Sequence, residues 1–599
     1  MPNVNVLKKE LFQFIGKDFT DEEFVNLCFE FGLEMEQGDA TEMQMTRVDD
    51  KGNSIDISKQ EVFKLEVAAN RYDLLCIEGI AQILRSYLGL GQIPRLNIKN
   101  QREGGLEKII VKRETIEVRQ YVVGAVLRNI KFDLQSYNSF IDLQDKLHQN
   151  ICRKRTLGSM GTHDYDKVQG PITYEARAPQ DIVFQALKQT ESMNAQQLFE
   201  KLKTDQKLKK YLHILEDKPK YPVFYDQTGQ VLSLPPIINS DATKIGLETK
   251  NVFIEMTGTD LHKLEICLVI VAGLFSQHCG GDSQFTIEQV EVHHEVDGRV
   301  EVYPQLTYNQ FEVDLNTMNR VLGLNIDSAK AKECAEKMGL VIKDDGLDQS
   351  KLLVEVPTVR SDILHACDII EDIGIAYGYN NIPREMPPTN TIGKQQPQNH
   401  FTDLIRAELA QAGYIECLTM SLLSIKENYD FLNHKFNENE AVQISNPKTI
   451  EFEVVRTSLV PGLLKVFQSN TNESLPQRIF EVSDVALLDD QSDVLARNER
   501  RISALYMNKT SGFEVIQGVL DQLMTKIGAK HGQDYKLQQS HDAMYFPDRG
   551  ADIVFNGHVI GSIGVLHPQV LESFNLKYPV TSVEIRLDDL FQHFRNVHQ

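Results

Sequence analysis

Four acidic residues, Asp362, Asp368, Glu371 and Asp372, are spaced in a way that calls for a counter-charge. They lie in the run Val356-Pro-Thr-Val-Arg-Ser-Asp-Ile-Leu-His-Ala-Cys-Asp-Ile-Ile-Glu-Asp-Ile-Gly-Ile375. On a helix, Asp368, Glu371 and Asp372 fall at i, i+3 and i+4 and project side by side, while Asp362 stands near the expected N-terminus. Ile369, Ile370, Ile373 and Ile375 make the other face apolar. Like charges at this spacing repel by a few tenths of a kcal/mol in water, and by more where water is excluded. A hard divalent cation is one candidate partner, because carboxylates with water suit the octahedral oxygen shell of magnesium. The other reading is an N-capping Asp362 followed by a solvated acidic stripe.

The elements around this motif belong to a large folded chain. At 599 residues it exceeds what one core supports and is expected to divide into roughly three to five domains. Hydrophobic content of 41% with 25% charged residues is that of a globular protein. The net charge of −22 argues against a surface that grips nucleic acid throughout, since phosphate contacts need clustered Lys and Arg. Local clusters occur at Arg153-Lys154-Arg155 and at Lys201, Lys203, Lys207, Lys209 and Lys210, and their plain reading is a solvated helix face. Eight cysteines contain no C-x-x-C pair, so neither a zinc site nor a disulfide framework is implied. The start Met1-Pro-Asn-Val-Asn-Val lacks the regions of a secretory signal, and the apolar run Ile266 to Phe275 is too short to span a bilayer. A cytosolic protein is expected.

Along the chain, Thr20 and Glu23 form a capping box, Phe19 can staple onto Phe24, and Gly32 ends the helix. A second helix follows Asn70-Arg-Tyr-Asp73 with Ile77, Ile80, Ala81, Leu84 and Leu88 as its apolar face. Strands and helices mix from about 116 to 282, and a hairpin about Asp297-Gly298 follows. His293, His294 and Glu295 converge poorly for a metal, because adjacent strand residues point to opposite faces. A short helix from Ala329 to Met338, capped by Ser328 and stopped at Gly339, precedes the acidic motif. The stretch Pro383 to Pro397 reads as a linker, and a helix from Asp403 to Gln411 opens the last, β-rich domain. The expected fold class is α+β and multi-domain, with regions at 1–95, 116–282, 300–383 and 395–599. No P-loop is present, and Gly89-Leu-Gly91 is a helix terminator.

The Thr20 helix, Ala69-Asn-Arg-Tyr-Asp-Leu-Leu-Cys-Ile-Glu-Gly79, Gly161-Thr-His-Asp164, Pro235-Pro-Ile-Ile-Asn239, the acidic motif and Ile444-Ser-Asn-Pro-Lys-Thr449 occur in one order. In that order the chain resembles, over nearly its whole length, the β subunits of phenylalanine–tRNA ligases of the eukaryotic and archaeal cytosolic type. The resemblance implies an α2β2 tetramer in which the α subunit binds ATP, activates phenylalanine and loads tRNA(Phe). It implies Mg2+ on Asp362, Asp368, Glu371 and Asp372. It also implies a small N-terminal α/β domain, an editing-type α/β domain that hydrolyses mischarged tyrosyl-tRNA, a winged-helix-like central domain and a class II synthetase-like antiparallel sheet.

An active class II core needs arginines on the α- and γ-phosphates. Arg456-Thr-Ser-Leu-Val-Pro-Gly-Leu-Leu464 and Gly561-Ser-Ile-Gly-Val-Leu-His-Pro568 do not supply that pattern, so this core is expected not to adenylate an amino acid. In the editing-type region, Glu255 is expected to accept a tyrosine hydroxyl, with His163 and Asn239 orienting the ester or a water. A turn-forming, locally bonded His163-Asp164 pair is the alternative. A scaffold subunit without editing is the alternative for the whole chain. Two departures from the family pattern stand out, Gly158-Ser-Met160 before the His-Asp pair and Asp548 where glycine is commoner.

Overall fold

The computed structural model describes residues 2–36, 38–48, 54–99, 105–343, 350–386, 389 and 392–598, which form two compact units meeting at Met386 and Pro387. The expected linker at 383–397 contains this boundary and lies in part outside the described residues.

The first unit opens with a four-stranded antiparallel sheet in which Ser54–Glu66 pairs with Asn3–Leu7, Glu34–Met35 and Thr41–Val48. The helix Asp21–Phe31 starts with the full capping box, Thr20 Oγ accepting from the Glu23 amide and Glu23 accepting from the Thr20 amide. Gly32 ends it in the left-handed region. Phe24 stacks on Phe63 of the sheet with centroids 4.6 Å apart. The helix Ile77–Tyr87 buries Ile77, Ile80, Ala81 and Leu84.

An eleven-stranded mixed sheet follows. Its order runs from Ile238–Asn239 through Val231–Leu234, Tyr221–Tyr225, Ile172–Arg177, Glu107–Val111, Thr286–His294, Tyr121–Leu127 and Val252–Gly258 to Gly158–Asp164. The sheet curls until its ends meet, and Ser233, next to one end, hydrogen-bonds Glu255, next to the other. Helix Leu261–Phe275, apolar on almost every side, packs as a core helix on the face of the sheet opposite Glu255, where Leu264 sits against Gly158 and Gly258. Among the described residues no helix is long and apolar enough to cross a membrane. The hairpin at Asp297-Gly298 joins Thr286–His294 to Val300–Tyr303 in antiparallel register, and Gly298 has φ +71°. His293 and His294 bond Glu291 and Glu301 in turn, on separate carboxylates.

The rest of this unit packs helices Leu315–Leu322, Ser328–Lys337 and Ala366–Tyr377 on a three-stranded sheet of Gln310–Asp314, Lys351–Glu355 and Val341–Lys343. The cap of the middle helix is Asp327 rather than Ser328, because the Asp327 carboxylate accepts the Lys330 amide. In the second unit, a seven-stranded sheet from Ile415–Glu416 to Tyr535–Gln539 is antiparallel except for its first pair. Its opening helix spans Pro397–Gln411, six residues longer at the start than the apolar periodicity predicts, because Pro397 sits at a first-turn position where its missing N–H loses no bond.

Candidate active site and the acidic cluster

An open cavity of about 810 Å³ runs between the two sheet ends, helix Leu134–Gln149 and the N-terminal strand Asn3–Leu7. Glu255 reaches it from the strand Val252–Gly258, whose register sets Glu255 opposite Gly161 and Phe253 opposite His163. Gly161 is required there: a Cβ would overlap Glu255 Oε1, and would lie 2.9 Å from its Cδ and 3.1 Å from His163 Nε2. Glu255 is 1% exposed. Its Oε1 accepts from Ser233 Oγ at 2.7 Å, while its Oε2 is buried with no hydrogen-bond partner. A buried carboxylate oxygen without a donor is energetically costly and so is primed to accept one from a ligand.

Asn239 is paired in the backbone with Ser233, which places its half-buried side chain on the cavity wall near Glu255. His163 sits elsewhere. It is fully buried behind Glu255, with Nδ1 2.9 Å from Thr243 Oγ1 and Nε2 3.8 Å from Glu255 Oε1, too long for a hydrogen bond. It is not among the residues bordering the cavity and backs the Glu255 carboxylate, its Nε2, like Glu255 Oε2, being buried without a hydrogen-bond partner. Asp164 is the turn-former of the pair, accepting the Asp166 amide and pairing with Lys167 at 2.9 Å. Ser233 and Thr243 have no role in the sequence-based reading, because only strand register reveals them.

Arg119, 2% exposed, donates to the Thr257 carbonyl at 2.7 Å and to the carbonyls of Arg155 and Thr156 at 3.2 Å. Burial in this setting pushes its pKa down. Arg153, Lys154 and Arg155 all have positive φ, at 43°, 53° and 67°. Left-handed backbone costs about 1–2 kcal/mol per non-glycine residue, so this turn is held by its surroundings. Arg155 Nη1 donates to the carbonyls of Pro236 and Ile237 at 3.1 and 3.0 Å, and its guanidinium lies 4.4 Å over the Tyr211 ring.

The acidic motif has a cation at its centre, and it is Arg360. Its Nε and Nη2 hold Asp362 at 2.9 and 2.8 Å, and the same Nη2 holds Asp372 at 2.8 Å. Its Nη1 donates to the Met338 carbonyl at 3.1 Å. Burial pushes the Asp372 carboxyl up against the single contact from Arg360, whereas the chelating grip on Asp362 outweighs burial and holds that carboxyl down. Asp368 serves as a cap, with Oδ2 accepting the amides of Leu364 and His365 at 2.8 and 2.9 Å. Glu371 is exposed. Among the described residues no group of three His, Cys, Asp or Glu side chains is placed to hold a metal ion. The donors are of the type magnesium takes, but this chain by itself does not gather them around one point. The sequence does carry a signal for Arg360, a cation two residues before Asp362.

In the second unit, Arg456 is 4% exposed and donates to Glu481 at 2.7 Å, Thr419 at 3.0 Å and the Asp484 carbonyl at 3.1 Å. An arginine so engaged pins the sheet and is not free for a phosphate. Asp548 adopts φ +61°, the conformation that favours glycine, and its carboxylate accepts from Gln539 at 2.9 Å.

Four family models match the chain in series. They are the Phe-tRNA synthetase beta subunit B1 domain at 1–90, the B3/4 domain at 123–266, the tRNA synthetase B5 domain at 311–379, and the phenylalanyl tRNA synthetase beta chain CLM domain at 382–587. The phenylalanine–tRNA ligase beta subunit of Mus musculus is 44% identical over 591 residues, covering 98% of this chain and all of the relative. The cytoplasmic beta subunit of Arabidopsis thaliana is 42% identical over 604 residues, covering 98% and 100%. An N-terminal fragment of the phenylalanyl-tRNA synthetase beta subunit from Pyrococcus horikoshii, solved as a crystal structure, superposes with a TM-score of 0.55 at 30% identity, covering 63% of this chain and all of the fragment. Matches in that order and at that coverage span both units, and the chain belongs to the phenylalanine–tRNA ligase beta subunit family.

Proposed function

We propose that this chain supports ATP-dependent charging of tRNA(Phe) by an α subunit, and that its own chemistry is hydrolysis of mischarged tyrosyl-tRNA(Phe) in the cavity beside Glu255. The observation that carries the second half is the buried, partnerless Oε2 of Glu255. A hydrophobic pocket that accepts phenylalanine rejects an analogue that merely adds a hydroxyl by only about a hundredfold. A second pocket offering a buried acceptor reverses the preference, since tyrosine donates to it and phenylalanine leaves it unsatisfied. Asn239, on the wall beside it, is the side chain placed to bond the ester carbonyl or a water. The reaction adds water to the ester carbonyl and breaks the bond to the ribose oxygen, releasing tyrosine and free tRNA. The test is clearance of tyrosyl-tRNA(Phe) by the co-purified α and β chains; decay at the spontaneous rate would support the scaffold reading instead.

The domain reading is a B1-type α/β domain at 1–95, an editing domain at 116–282, a winged-helix-like domain at 300–383 and a class II-like core at 395–599. The engaged state of Arg456 supports a core that does not adenylate, and the isolated chain is expected to show no phenylalanine-dependent pyrophosphate exchange. We further propose an α2β2 assembly with the α subunit, and a cytoplasmic location in keeping with the cytoplasmic beta subunit of Arabidopsis thaliana. For magnesium, Asp362, Asp368, Glu371 and Asp372 are incomplete in one chain, so we place Mg2+ binding there in the assembled ligase alone. Calorimetric titration of Mg2+ is expected to show no site on the isolated chain; stoichiometric binding by it would overturn this placement.

A further inference from the structure

Two basic clusters far apart in sequence come together at one end of the cavity. Arg155, Lys188, Lys207, Lys210 and Lys244 all border it there, beside Pro235 to Asn239. Elsewhere along the cavity, Glu10 is held by Arg47 at 2.7 Å and Asp142 feels the charge of Lys146, so the carboxylates there have their own cations. Three carboxylates accompany the basic rim, Asp145 near Arg155 together with Asp205 and Asp241. Asp241 pairs with Lys244 at 3.2 Å, and Asp205 accepts the amides of Lys207 and Leu208 at 2.8 and 2.9 Å. Asp205 lies between Lys188 and Lys207 and feels both charges. Arg155 is occupied by the carbonyls it holds. Lys188, Lys207 and Lys210 are left as exposed cations with no ion pair within 4.0 Å among the described residues. Lys210 is ordered against the Tyr211 ring, 5.0 Å from its centroid, and Tyr211 in turn is fixed by Gln149 at 2.6 Å.

The backbone bears the same mark. Lys188 has φ +64°, and with Arg153, Lys154 and Arg155 it makes four basic residues among the eleven non-glycine residues with positive φ in the described part of the chain. All four stand on two segments bordering this cavity end, and the amide of Leu187, next to Lys188, bonds the Asn239 carbonyl at 3.0 Å. Strain of this kind persists where the surroundings enforce it and concentrates at ligand-binding segments. In a chain of net charge −22, three exposed lysines converging on a pocket mouth, with the Asp205 carboxylate offsetting part of the charge of Lys188 and Lys207, leave a net positive local anion site.

We infer that Lys188, Lys207 and Lys210 form a phosphate-binding rim that takes the backbone of the single-stranded 3′ end of an aminoacylated tRNA, delivering the ester to Glu255 and Asn239. This rests on the hydrolytic reading of the cavity. It is sequence-independent recognition by charge, with the terminal ester alone entering the pocket.

The test uses the assembled α and β chains with tyrosyl-tRNA(Phe), comparing the parent with a Lys188→Ala/Lys207→Ala/Lys210→Ala variant. The variant is expected to raise KM for deacylation by about tenfold or more, to retain kcat, and to flatten the dependence of log KM on log salt by about two, roughly 0.7 for each lost phosphate contact. A Lys188→Arg/Lys207→Arg/Lys210→Arg variant should restore the parental KM, which a merely structural role of the ammonium groups would not allow. Unchanged KM and salt slope in a variant with the parental unfolding midpoint overturns the rim while leaving the hydrolytic reading intact. A parent that does not deacylate tyrosyl-tRNA(Phe) removes the hydrolytic reading and the rim together.

Discussion

Replacing Glu255 by glutamine is the most incisive perturbation of the cavity, because it changes charge and hydrogen-bond polarity without changing volume. The amide carbonyl can keep the bond that Oε1 now receives from Ser233 at 2.7 Å, so the amide nitrogen takes the place of the partnerless Oε2. A tyrosine hydroxyl then meets a donor where it had an acceptor. A hydrogen bond to a charged group is worth about 1.5–3 kcal/mol, which corresponds to a fall of about 10- to 150-fold in kcat/KM for clearing tyrosyl-tRNA(Phe). Stability should move the other way, since Glu255→Gln removes a buried, half-satisfied charge. The expected outcome is therefore slower deacylation with an equal or higher unfolding midpoint. Deacylation by the purified complex and thermal unfolding of the same preparation measure the two signs. Parental deacylation would remove Glu255 from substrate recognition, and a joint loss of activity and midpoint would make it a structural group.

Other substitutions test neighbouring parts of the structure. Gly161→Ala should displace the Glu255 carboxylate, lowering deacylation by about tenfold or more and destabilising the fold by about 1–3 kcal/mol of overpacking, read by urea unfolding. Arg360→Met strips two buried carboxylates of their partner and should destabilise by about 3–5 kcal/mol, with Arg360→Lys recovering only part because a point charge cannot chelate Asp362 and reach Asp372 together. His434 bonds Asp542 at 2.6 Å, and that bond raises the histidine pKa above its ordinary 6.5. Its contribution is fully present below the unfolded-state value and is lost as pH rises through the folded-state value. The midpoint difference between parent and His434→Asn should thus be larger at pH 6 than at pH 9, and an equal difference at both would refute the coupling.

What was legible in the sequence follows the range of the interaction. The Thr20 helix was readable to the residue, because capping box, staple and terminating glycine all act within one or two turns. The shift from Ser328 to Asp327 and the early start at Pro397 reflect adjacent residues of similar capping quality and a proline that serves equally as linker or first turn. Asp548, which the resemblance sets where glycine is expected, has a positive φ of 61°. The cavity was only partly visible. Glu255 and Asn239 came through motif resemblance, whereas the Ser233 bond, the close approach at Gly161 and the seclusion of His163 depend on which strands pair and close the sheet, with partners 22 residues apart for Ser233 and Glu255 and 80 for His163 and Thr243.

The acidic motif and the basic clusters make the same point from opposite directions. Crowded carboxylates at 362–372 call for positive charge, but helical spacing is blind to a guanidinium that folds back from the preceding loop, and Arg360 pairs with two of the four, Asp362 and Asp372. Conversely, Lys207 and Lys210 look like solvent-facing residues until the fold sets them beside Lys188 and the pocket mouth. Counter-ion demand is therefore a local property of sequence, while counter-ion supply is a property of topology. In this chain the buried arginines Arg119, Arg360 and Arg456 are each consumed by internal partners. In the proposed rim the contact with tRNA falls to exposed lysines, which is why its salt dependence, rather than its affinity alone, is the quantity that separates a functional rim from a decorated surface.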